Sequence, residues 1–426
     1  MTLYLKNATF LDWQTLKMTK THLAVEEGPF GGISLITAMP ASDALKAADR
    51  VLDCGDKLVT KSFGCGHHHI YSALARGMPA PEKIPTNFAE TLTYVWWRLD
   101  RLLDLEMIRA STLVTALYCL KNGVTFVIDH HASPFAIDGS LETIAEVFDE
   151  VGLSHLLCYE MSDRDGDMAK EKGLAETEKY LEKGHQGHVG LHASFTVSDD
   201  LLKRAVALAQ KYDAGIHVHV AEDTVDQKRC QKAYGQRVVE RFDGAGVLNL
   251  KRSILSHCIH LDETEVARVR ESDVWVAQNT ESNLNNNVGL ADYRALGPNI
   301  ILGTDGMHSD MLRSAKAAFL TGQAMENIDM ASLYQRFRNI HRYLMESGYA
   351  GDGDNNLVVL DYDAPTEVTD ENFLGHFIYG LEARHVESVI SCGRLVVNDR
   401  KLVTANEADI LGFAREMGNR LWAKMT

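Results

Sequence analysis

Two histidines separated by one residue, His67 and His69, follow a short apolar run and could bind one metal ion together. In a β-strand, residues i and i+2 point to the same face, so these imidazoles can converge on one ion while His68 points away. Imidazole nitrogen suits zinc and other first-row metals. A chain with 18 histidines shows roughly one such spacing by chance, so the motif carries weight only in combination with others.

Three further residues supply that combination, because each ends or follows its own β-rich apolar run. His219 lies in GIHVHV, His257 ends ILSH, and Asp305 follows LGT. Zinc is our first choice for nitrogen and carboxylate ligands of this kind, and iron fits the same ligands. We therefore expect one divalent metal per chain. The predicted ligands are His67, His69, His219, His257 and Asp305.

The elements that position these residues alternate short β-rich runs with amphipathic helical stretches, which is typical of parallel βαβ units. Eight units over about 300 residues predict a closed (β/α)8 TIM-type barrel. A doubly wound open sheet is the alternative, but it binds ligands at one switch point, whereas polar residues here end nearly every strand. The predicted strands are Leu58–Cys65, Gly123–Asp129, Leu153–Tyr159, His188–Ala193, Gly215–Val220, Ser253–Ser256, Val274–Ala277 and Asn299–Gly303.

Both ends of the chain have a different pattern. Alternating apolar runs in residues 1–56 and again after residue 356 predict strands, and Glu407–Met425 reads as an amphipathic closing helix. We expect residues 1–56 and 357–426 to form one small, discontinuous β-sandwich with that helix. It would pack on a barrel of residues 57–356.

Several longer segments carry a family resemblance: GHHHIYSALARGM, YVWWRLDRLLD, VIDHHASP, SNLNNNVG and LGTDGMHSDM. With the ligand pattern, they resemble the amidohydrolase superfamily, in the branch of cytosine, guanine and adenosine-type deaminases and triazine chlorohydrolases. The segments are most similar to the aminohydrolases associated with selenium metabolism. The resemblance spans nearly the whole chain. One departure is Lys61-Ser62, where the superfamily usually has Pro-Gly, and we expect altered local backbone with an intact site.

The resemblance implies a role for several residues. Glu222 matches the glutamate of the family's HxxE motif, which shuttles protons to the leaving nitrogen, and Asp305 would take a proton from water activated by the metal. His257 would polarise the tetrahedral intermediate or ligate the metal, and the sequence leaves both roles open. Binuclear relatives use a lysine at the end of strand four, where this chain has His192-Ala193-Ser194-Phe195, so one metal is expected.

Four residues are predicted to contact substrate. His192 matches a substrate-facing position of related deaminases, and Asn283 belongs to the Ser-Asn pair that the family carries after strand seven. Trp96 could cover the pocket from the long first βα connection, with helix packing as the alternative. His131 follows strand two and could reach the site, with a surface position as the alternative. His217 lies one layer below His219 and reads as a hydrogen-bonded core histidine.

Together these residues predict a metal-dependent hydrolase that deaminates an aminated heterocycle or amidine-type small molecule by a metal-bound hydroxide. Cleavage of a cyclic amide or carbon–halogen bond on the same site is the alternative, and a non-catalytic metal-binding barrel is a third possibility. No phosphate-binding loop, dinucleotide fingerprint or nucleophile elbow occurs.

Composition narrows the partners further. The net charge of -16 argues against a nucleic-acid partner, whose phosphates need a basic surface. No apolar run approaches the roughly 20 residues that span a bilayer, and the start of the chain lacks the pattern of a signal peptide. The seven scattered cysteines form no CxxC pair and suit a reducing compartment. We expect a cytoplasmic homodimer that acts on a small molecule.

Overall fold

The structure is a computed structural model that describes residues 2–425. Its strands are β1 (Thr2–Leu11), β2 (Met18–Glu26), β3 (Ile33–Ile36), β4 (Arg50–Asp53), β5 (Leu58–Lys61), β6 (Phe63–His68), β7 (Val124–His131), β8 (Ser154–Tyr159), β9 (Val189–Ala193), β10 (Ile216–Val220), β11 (Ile254–His257), β12 (Trp275–Gln278), β13 (Ile300–Leu302), β14 (Leu357–Leu360), β15 (Val386–Ser391), β16 (Arg394–Asn398) and β17 (Lys401–Leu402).

The α-helices lie mostly between the central strands. They are α1 (Phe88–Thr91), α2 (Trp97–Leu99), α3 (Leu105–Lys121), α4 (Ser140–Val151), α5 (Asp167–Glu182), α6 (Asp199–Lys211), α7 (Thr224–Tyr234), α8 (Val238–Gly244), α9 (Glu263–Glu271), α10 (Thr280–Asn285), α11 (Met311–Met325), α12 (Met330–Glu346), α13 (Phe373–Tyr379) and α14 (Glu407–Met425). A π-helical turn, Leu92–Trp96, joins α1 to α2. No helix among residues 2–425 is both long and apolar enough to cross a membrane.

Eight parallel strands, β6 to β13, form a closed barrel. β6, β7 and β8 pair in order, and so do β9 to β13. Parallel bridges from Leu157 to Gly187 and from Met161 to Leu191 join the two groups, and a bridge from His68 to Asp305 closes the ring. The predicted (β/α)8 fold is therefore confirmed. The ring closes at Asp305, one of the predicted metal ligands.

Local sequence explains how the barrel units form. All eight residues of β7 are buried, as expected for a strand that is covered on both faces. Helix α6 begins where the Ser198 side chain accepts a hydrogen bond from the Leu201 amide, and its apolar face packs into the core. Gly303 allows β13 to approach β6, since a Cβ there would lie 2.8 Å from that of His67.

The two chain ends meet in one mixed sheet of nine strands. β5 pairs with β1 on one side and with β14 on the other, so the strands β1–β5 form one half of the sheet and β14–β17 form the other half. Helix α14 packs on α3 at the side of the barrel. The proposed division into residues 1–56 plus 357–426 and residues 57–356 stays a prediction.

The strand predicted over Leu58–Cys65 is wrong as a single element. Residues Leu58–Lys61 pair with β1 and β14 in the terminal sheet, and the barrel strand starts at Phe63 and continues to His68. The chain changes sheets at Ser62, a switch that the continuous apolar pattern does not reveal. The bounds of the other seven predicted strands agree with the structure to within two residues.

Candidate metal centre and active site

A cavity of about 290 Å³ lies at the carboxyl ends of the barrel strands. This is the face on which TIM-barrel enzymes carry their catalytic residues. Its polar wall comes from the ends of six strands or the residues just after them. The polar residues of this wall include Glu160, His192, His219, Glu222, His257 and Asp305.

Four of the predicted ligands meet at the bottom of this cavity. The Nε2 atom of His69 lies 3.0 Å from Oδ1 of Asp305 and 3.1 Å from Nε2 of His219. The Nε2 atom of His67 lies 3.6 Å from the same carboxylate oxygen. Strands β6, β10 and β13 thus aim three imidazoles and one carboxylate at a common point.

The opposite ring nitrogens are held by hydrogen bonds that fix these rings. Nδ1 of His69 donates to the carbonyl oxygen of His130 at 2.6 Å, and Nδ1 of His219 donates to that of His192 at 2.8 Å. Outer hydrogen bonds of this kind orient metal-binding histidines and aim Nε2 at the common point. His67 is supported by another ring, because Nε2 of His217 lies 2.9 Å from Nδ1 of His67.

The donor set fits a divalent metal. Nε2 of His67 and Nε2 of His257 are buried without a hydrogen-bond partner among residues 2–425, a costly state unless something binds them. The ligand atoms of His67, His69 and Asp305 lie within 4.8 Å of one another, and so do those of His67, His219 and His257. Burial, reinforced by neighbouring histidines, lowers the pKa of His67 and of His219 well below its ordinary value, so both rings offer lone pairs.

Asp305 is held on a strained backbone. Its φ of 53° is unusual for a residue with a side chain, and its amide donates to the carbonyl of His67 at 3.0 Å. The Ser282 hydroxyl donates to Oδ2 of Asp305 at 2.5 Å. Burial alone raises the pKa of Asp305, but the hydrogen bond from His69 and the nearby histidines outweigh it and hold that pKa far below its ordinary value.

Glu222 and His257 form the side of the cavity next to Asp305. Nε2 of His257 lies 3.7 Å from Oε2 of Glu222 and 3.8 Å from Oδ2 of Asp305. Burial raises the pKa of Glu222 to about 7, which suits a group that both gives and takes protons. His257 also has a positive φ, 73°, and its Nδ1 donates to Oδ1 of Asn283 at 2.8 Å.

Asn283, which was predicted to contact substrate, does not line the cavity. Its side chain is fully buried behind His257, where Oδ1 accepts from that ring and Nδ2 donates to the Tyr293 hydroxyl at 3.3 Å. Helix α10 turns Asn283 inward and presents Ser282 to the cavity instead. Asn283 therefore positions the ring of His257.

His131, also predicted to contact substrate, does not line the cavity either. Its ring is fully buried, with Nε2 3.0 Å from the Ser133 hydroxyl. It packs against the rings of Tyr71 and Tyr159 at 6.3 and 6.2 Å, so Tyr71 separates it from the cavity. Position after a strand places a residue near the barrel mouth but does not decide which way its side chain turns.

His192 and Trp96 do line the cavity, and Trp97 lines it as well. The π-helical turn brings both tryptophans to the mouth, and Trp97 packs edge-on against His192 at 5.9 Å. Nδ1 of His192 lies 2.6 Å from the Thr196 hydroxyl. Contact of His192 and Trp96 with substrate stays a prediction.

Sequence reasoning missed Glu160, which lines the same cavity. This residue directly follows β8, so the rule that found His219 and Asp305 also applies to it. Its side chain is 4% exposed, and Oε2 lies 3.1 Å from Nδ1 of His130. Although burial raises the pKa of Glu160, the nearby His192 and the hydrogen bond from His130 hold it well below its ordinary value.

Residues 59–351 match the model of the amidohydrolase family, which is more than half of the chain. A 5'-deoxyadenosine deaminase of Methanopyrus kandleri is 31% identical over 350 residues, which make up 76% of this chain and 78% of that protein.

Solved structures show the same fold. An adenosine deaminase from Xanthomonas campestris, crystallised with bound zinc, superposes with a TM-score of 0.83 at 20% identity and covers 98% of both chains. Atrazine chlorohydrolase from Arthrobacter aurescens TC1, complexed with zinc, superposes with a TM-score of 0.78 at 16% identity, over 98% of this chain and 100% of that one. The likeness extends over both the barrel and the terminal sheet.

Proposed function

The chain belongs to the amidohydrolase family, and from that premise we propose that it removes ammonia hydrolytically from an aminated heterocycle. The observation that carries the proposal is Glu222, a largely buried carboxyl group that faces the cavity beside His257 and Asp305. An amine leaves readily only after it gains a proton, and Glu222 is the acid within reach. The deaminase relative supports the same reaction class.

His67, His69, His219 and Asp305 would hold one divalent ion, for which zinc is our first choice. Such an ion lowers the pKa of a bound water toward neutrality. Zinc is supported by the donor set of three imidazoles and one carboxylate and by the zinc in the two similar crystal structures. No lysine follows β9 to bridge a second ion.

Asp305 and Glu222 divide the proton transfers. Oδ1 of Asp305 faces His67 and His69, and Oδ2 accepts from the Ser282 hydroxyl, so the carboxylate is held in place to take a proton of the attacking water. Glu222 gives its carboxyl proton to the ring nitrogen next to the reacting carbon. It then takes the remaining proton of the added oxygen and passes it to the amine, which leaves as ammonia. The proton held by Asp305 finally restores the acid form of Glu222. The Glu222 pKa of about 7 makes both protonation states accessible near neutral pH.

His257 is placed to bind the oxygen added to the substrate. Its Nε2 lies between the carboxylates of Glu222 and Asp305, and the hydrogen bond to Asn283 fixes the ring. Because Nδ1 already donates to Asn283, Nε2 is a donor only when it too carries a proton, and in that form it stabilises negative charge as it develops. We therefore assign His257 to the transition state and the other three histidines to the ion.

We also propose a homodimer in the cytoplasm. All seven cysteines are free thiols, which suits a reducing compartment. The dimer rests on the general prevalence of two-fold assemblies. A monomeric mass in solution at working concentration would contradict it.

The test is an ammonia assay on metal-loaded protein with a panel of aminated rings that includes 5'-deoxyadenosine, adenosine, guanine and cytosine. Ammonia from at least one compound, with the matching oxo product, is the expected result. Release of carboxylate from a cyclic amide or of halide from a halogenated ring, without ammonia, would contradict deamination and favour the alternative reactions. No product from any compound would contradict an enzymatic role.

A further inference from the structure

Glu160 is a buried carboxylate with one free oxygen. Its Oε2 lies 3.1 Å from Nδ1 of His130, and its amide donates to the carbonyl of His131 at 2.7 Å. No hydrogen bond within residues 2–425 reaches Oε1. Because Glu160 lines the cavity while His130 lies behind it, Oε1 is the oxygen that faces the cavity. Oε1 is not one of the fully buried atoms that lack a partner, so a ligand in the cavity can reach it and donate a hydrogen bond to it.

A second acceptor lies beside Glu160 on the next strand. Met161 and Leu191 form a bridge, and the His192 amide donates to the Met161 carbonyl at 3.0 Å, so Glu160 and His192 are close neighbours. The Thr196 hydroxyl donates to the Ala193 carbonyl, so it accepts the Nδ1 proton of His192. At pH 8 an imidazole is mainly neutral, which leaves a lone pair on Nε2 toward the cavity.

We propose that Glu160 is a specificity-determining residue that accepts a hydrogen bond from an O–H or N–H group on the substrate. Glu160 follows β8, whereas Glu222 follows β10, so the two carboxylates contact different ends of the substrate. A substrate of this site therefore carries a donor at the end away from its leaving amine. An anionic group at that end is excluded by repulsion. The reaction catalysed at this site rests on the proposed function, whereas the hydrogen bond from the substrate to Glu160 does not depend on which reaction follows.

A second metal ion at Glu160 is the competing use of the same atoms, since His69, His130, Glu160 and His219 form a compact group. His130 cannot ligate in the observed arrangement. Its Nε2 donates to the carbonyl of His217 at 3.1 Å, and its Nδ1 faces Glu160, so neither nitrogen offers a lone pair. The remaining histidines already belong to the first ion. The structure favours a substrate donor.

Glu160→Gln is the informative substitution. Its amide oxygen can still accept from His130, while its amide nitrogen replaces the acceptor at the cavity with a donor. Binding would be measured calorimetrically at pH 8 in metal-loaded protein that also carries Glu222→Gln, which prevents turnover. The probes are two matched pairs. Adenosine and 2',3',5'-trideoxyadenosine, which lacks all three sugar hydroxyls, test an O–H donor. Cytosine and 1-methylcytosine test an N–H donor.

We expect the donor-bearing member of one pair to bind protein with native Glu160 at least about tenfold more tightly than its partner, as for a hydrogen bond to a charged group. Glu160→Gln should remove that preference. The pair that responds identifies the donor as hydroxyl or ring N–H. Glu281→Gln is the matched control, because Glu281 bonds His308 at the mouth and does not line the cavity. It should leave the preference unchanged.

Equal affinity for both members of each pair, or no binding of all four, would overturn the proposal. So would two metal ions per chain of which Glu160→Gln removes one. Ammonia assays with native Glu222 and the same probes separate the two claims. A preference that depends on Glu160 without ammonia release contradicts the proposed deamination alone, and ammonia release without that preference contradicts the role of Glu160 alone.

Discussion

Nε2 of His217 lies 2.9 Å from Nδ1 of His67, one layer below the cavity. His217 also lies 3.3 Å from the Ser256 hydroxyl and is fully buried. The predicted core histidine is thus a neighbour of a predicted ligand, and its hydrogen bond keeps Nε2 of His67 aimed at the other ligand atoms. Support of this kind commonly changes metal affinity as strongly as a weak ligand does.

We expect His217→Leu to weaken metal binding about 10- to 100-fold, because His67 loses the partner that orients it. Competition with a chromophoric chelator measures the affinity. The control is His155→Leu, which removes another nearly buried histidine, whose ring packs against Phe148 at 5.5 Å. Equal affinities for wild type and His217→Leu would contradict the supporting role.

Ser282→Ala should lower kcat about tenfold or more at unchanged metal content. The substitution removes the hydrogen bond to Oδ2 of Asp305, and bonds to charged groups are worth about 1.5–3 kcal/mol. Ammonia release is the measurement. Ser111→Ala serves as control, because the Ser111 hydroxyl is buried without a partner within residues 2–425. If Ser282→Ala keeps full activity, the carboxylate needs no such support.

Much of this site could be predicted because strand ends converge in a parallel barrel. His67, His69, His219, His257 and Asp305 were each found from position alone, and the structure brings them together. Glu160 also follows a barrel strand, but a single glutamate in that position belongs to no recognisable motif, so the sequence did not single it out. Asn283 was predicted from the family resemblance and lies behind His257, because side-chain direction within a helix depends on packing that the spacing does not encode.

The departure at Lys61 has a clear structural reason. Its Nζ donates to the carbonyls of Asp352 and Gly353 at 2.8 and 2.6 Å and lies 3.2 Å from Oδ1 of Asp352. The side chain is only 3% exposed, so the lysine joins the barrel entry to the loop before β14. The sequence showed that Lys61 departs from the family pattern. It could not show the partner of Lys61, because Asp352 lies almost 300 residues away along the chain.

We expect Lys61→Met to destabilise the protein by about 3 kcal/mol, because it leaves a buried carboxylate with one partner fewer. Urea denaturation at pH 7 measures the loss. Lys57→Met is the matched control, since Lys57 pairs with Glu387 at a partly exposed position where ion pairs contribute at most about 1 kcal/mol. Equal losses in both variants would show that the buried position of Lys61 is unimportant.

The stabilising effect of Asp352 should depend on pH. Burial alone raises its pKa, but His341 at 2.8 Å and Lys61 outweigh it, so the folded pKa lies below the ordinary value. A depressed pKa gives stability that is present above the unfolded pKa of about 3.9 and is lost as pH falls through the folded pKa.

Accordingly, Asp352→Asn should be less stable than wild type at pH 7, and the difference should shrink as the pH is lowered below about 4. Chemical denaturation at a series of pH values measures it, with the exposed Asp354→Asn as control. A difference that grows toward acid pH would contradict the assignment.

The central claim is that Glu222 carries the proton transfers of a metal-dependent deamination. The most direct test is the rate of ammonia release by wild type and by Glu222→Gln at equal metal content, with the best compound of the panel. We predict that the variant keeps its metal and loses about 10²- to 10⁴-fold in kcat. A variant that keeps its metal and releases ammonia at the wild-type rate would contradict the account.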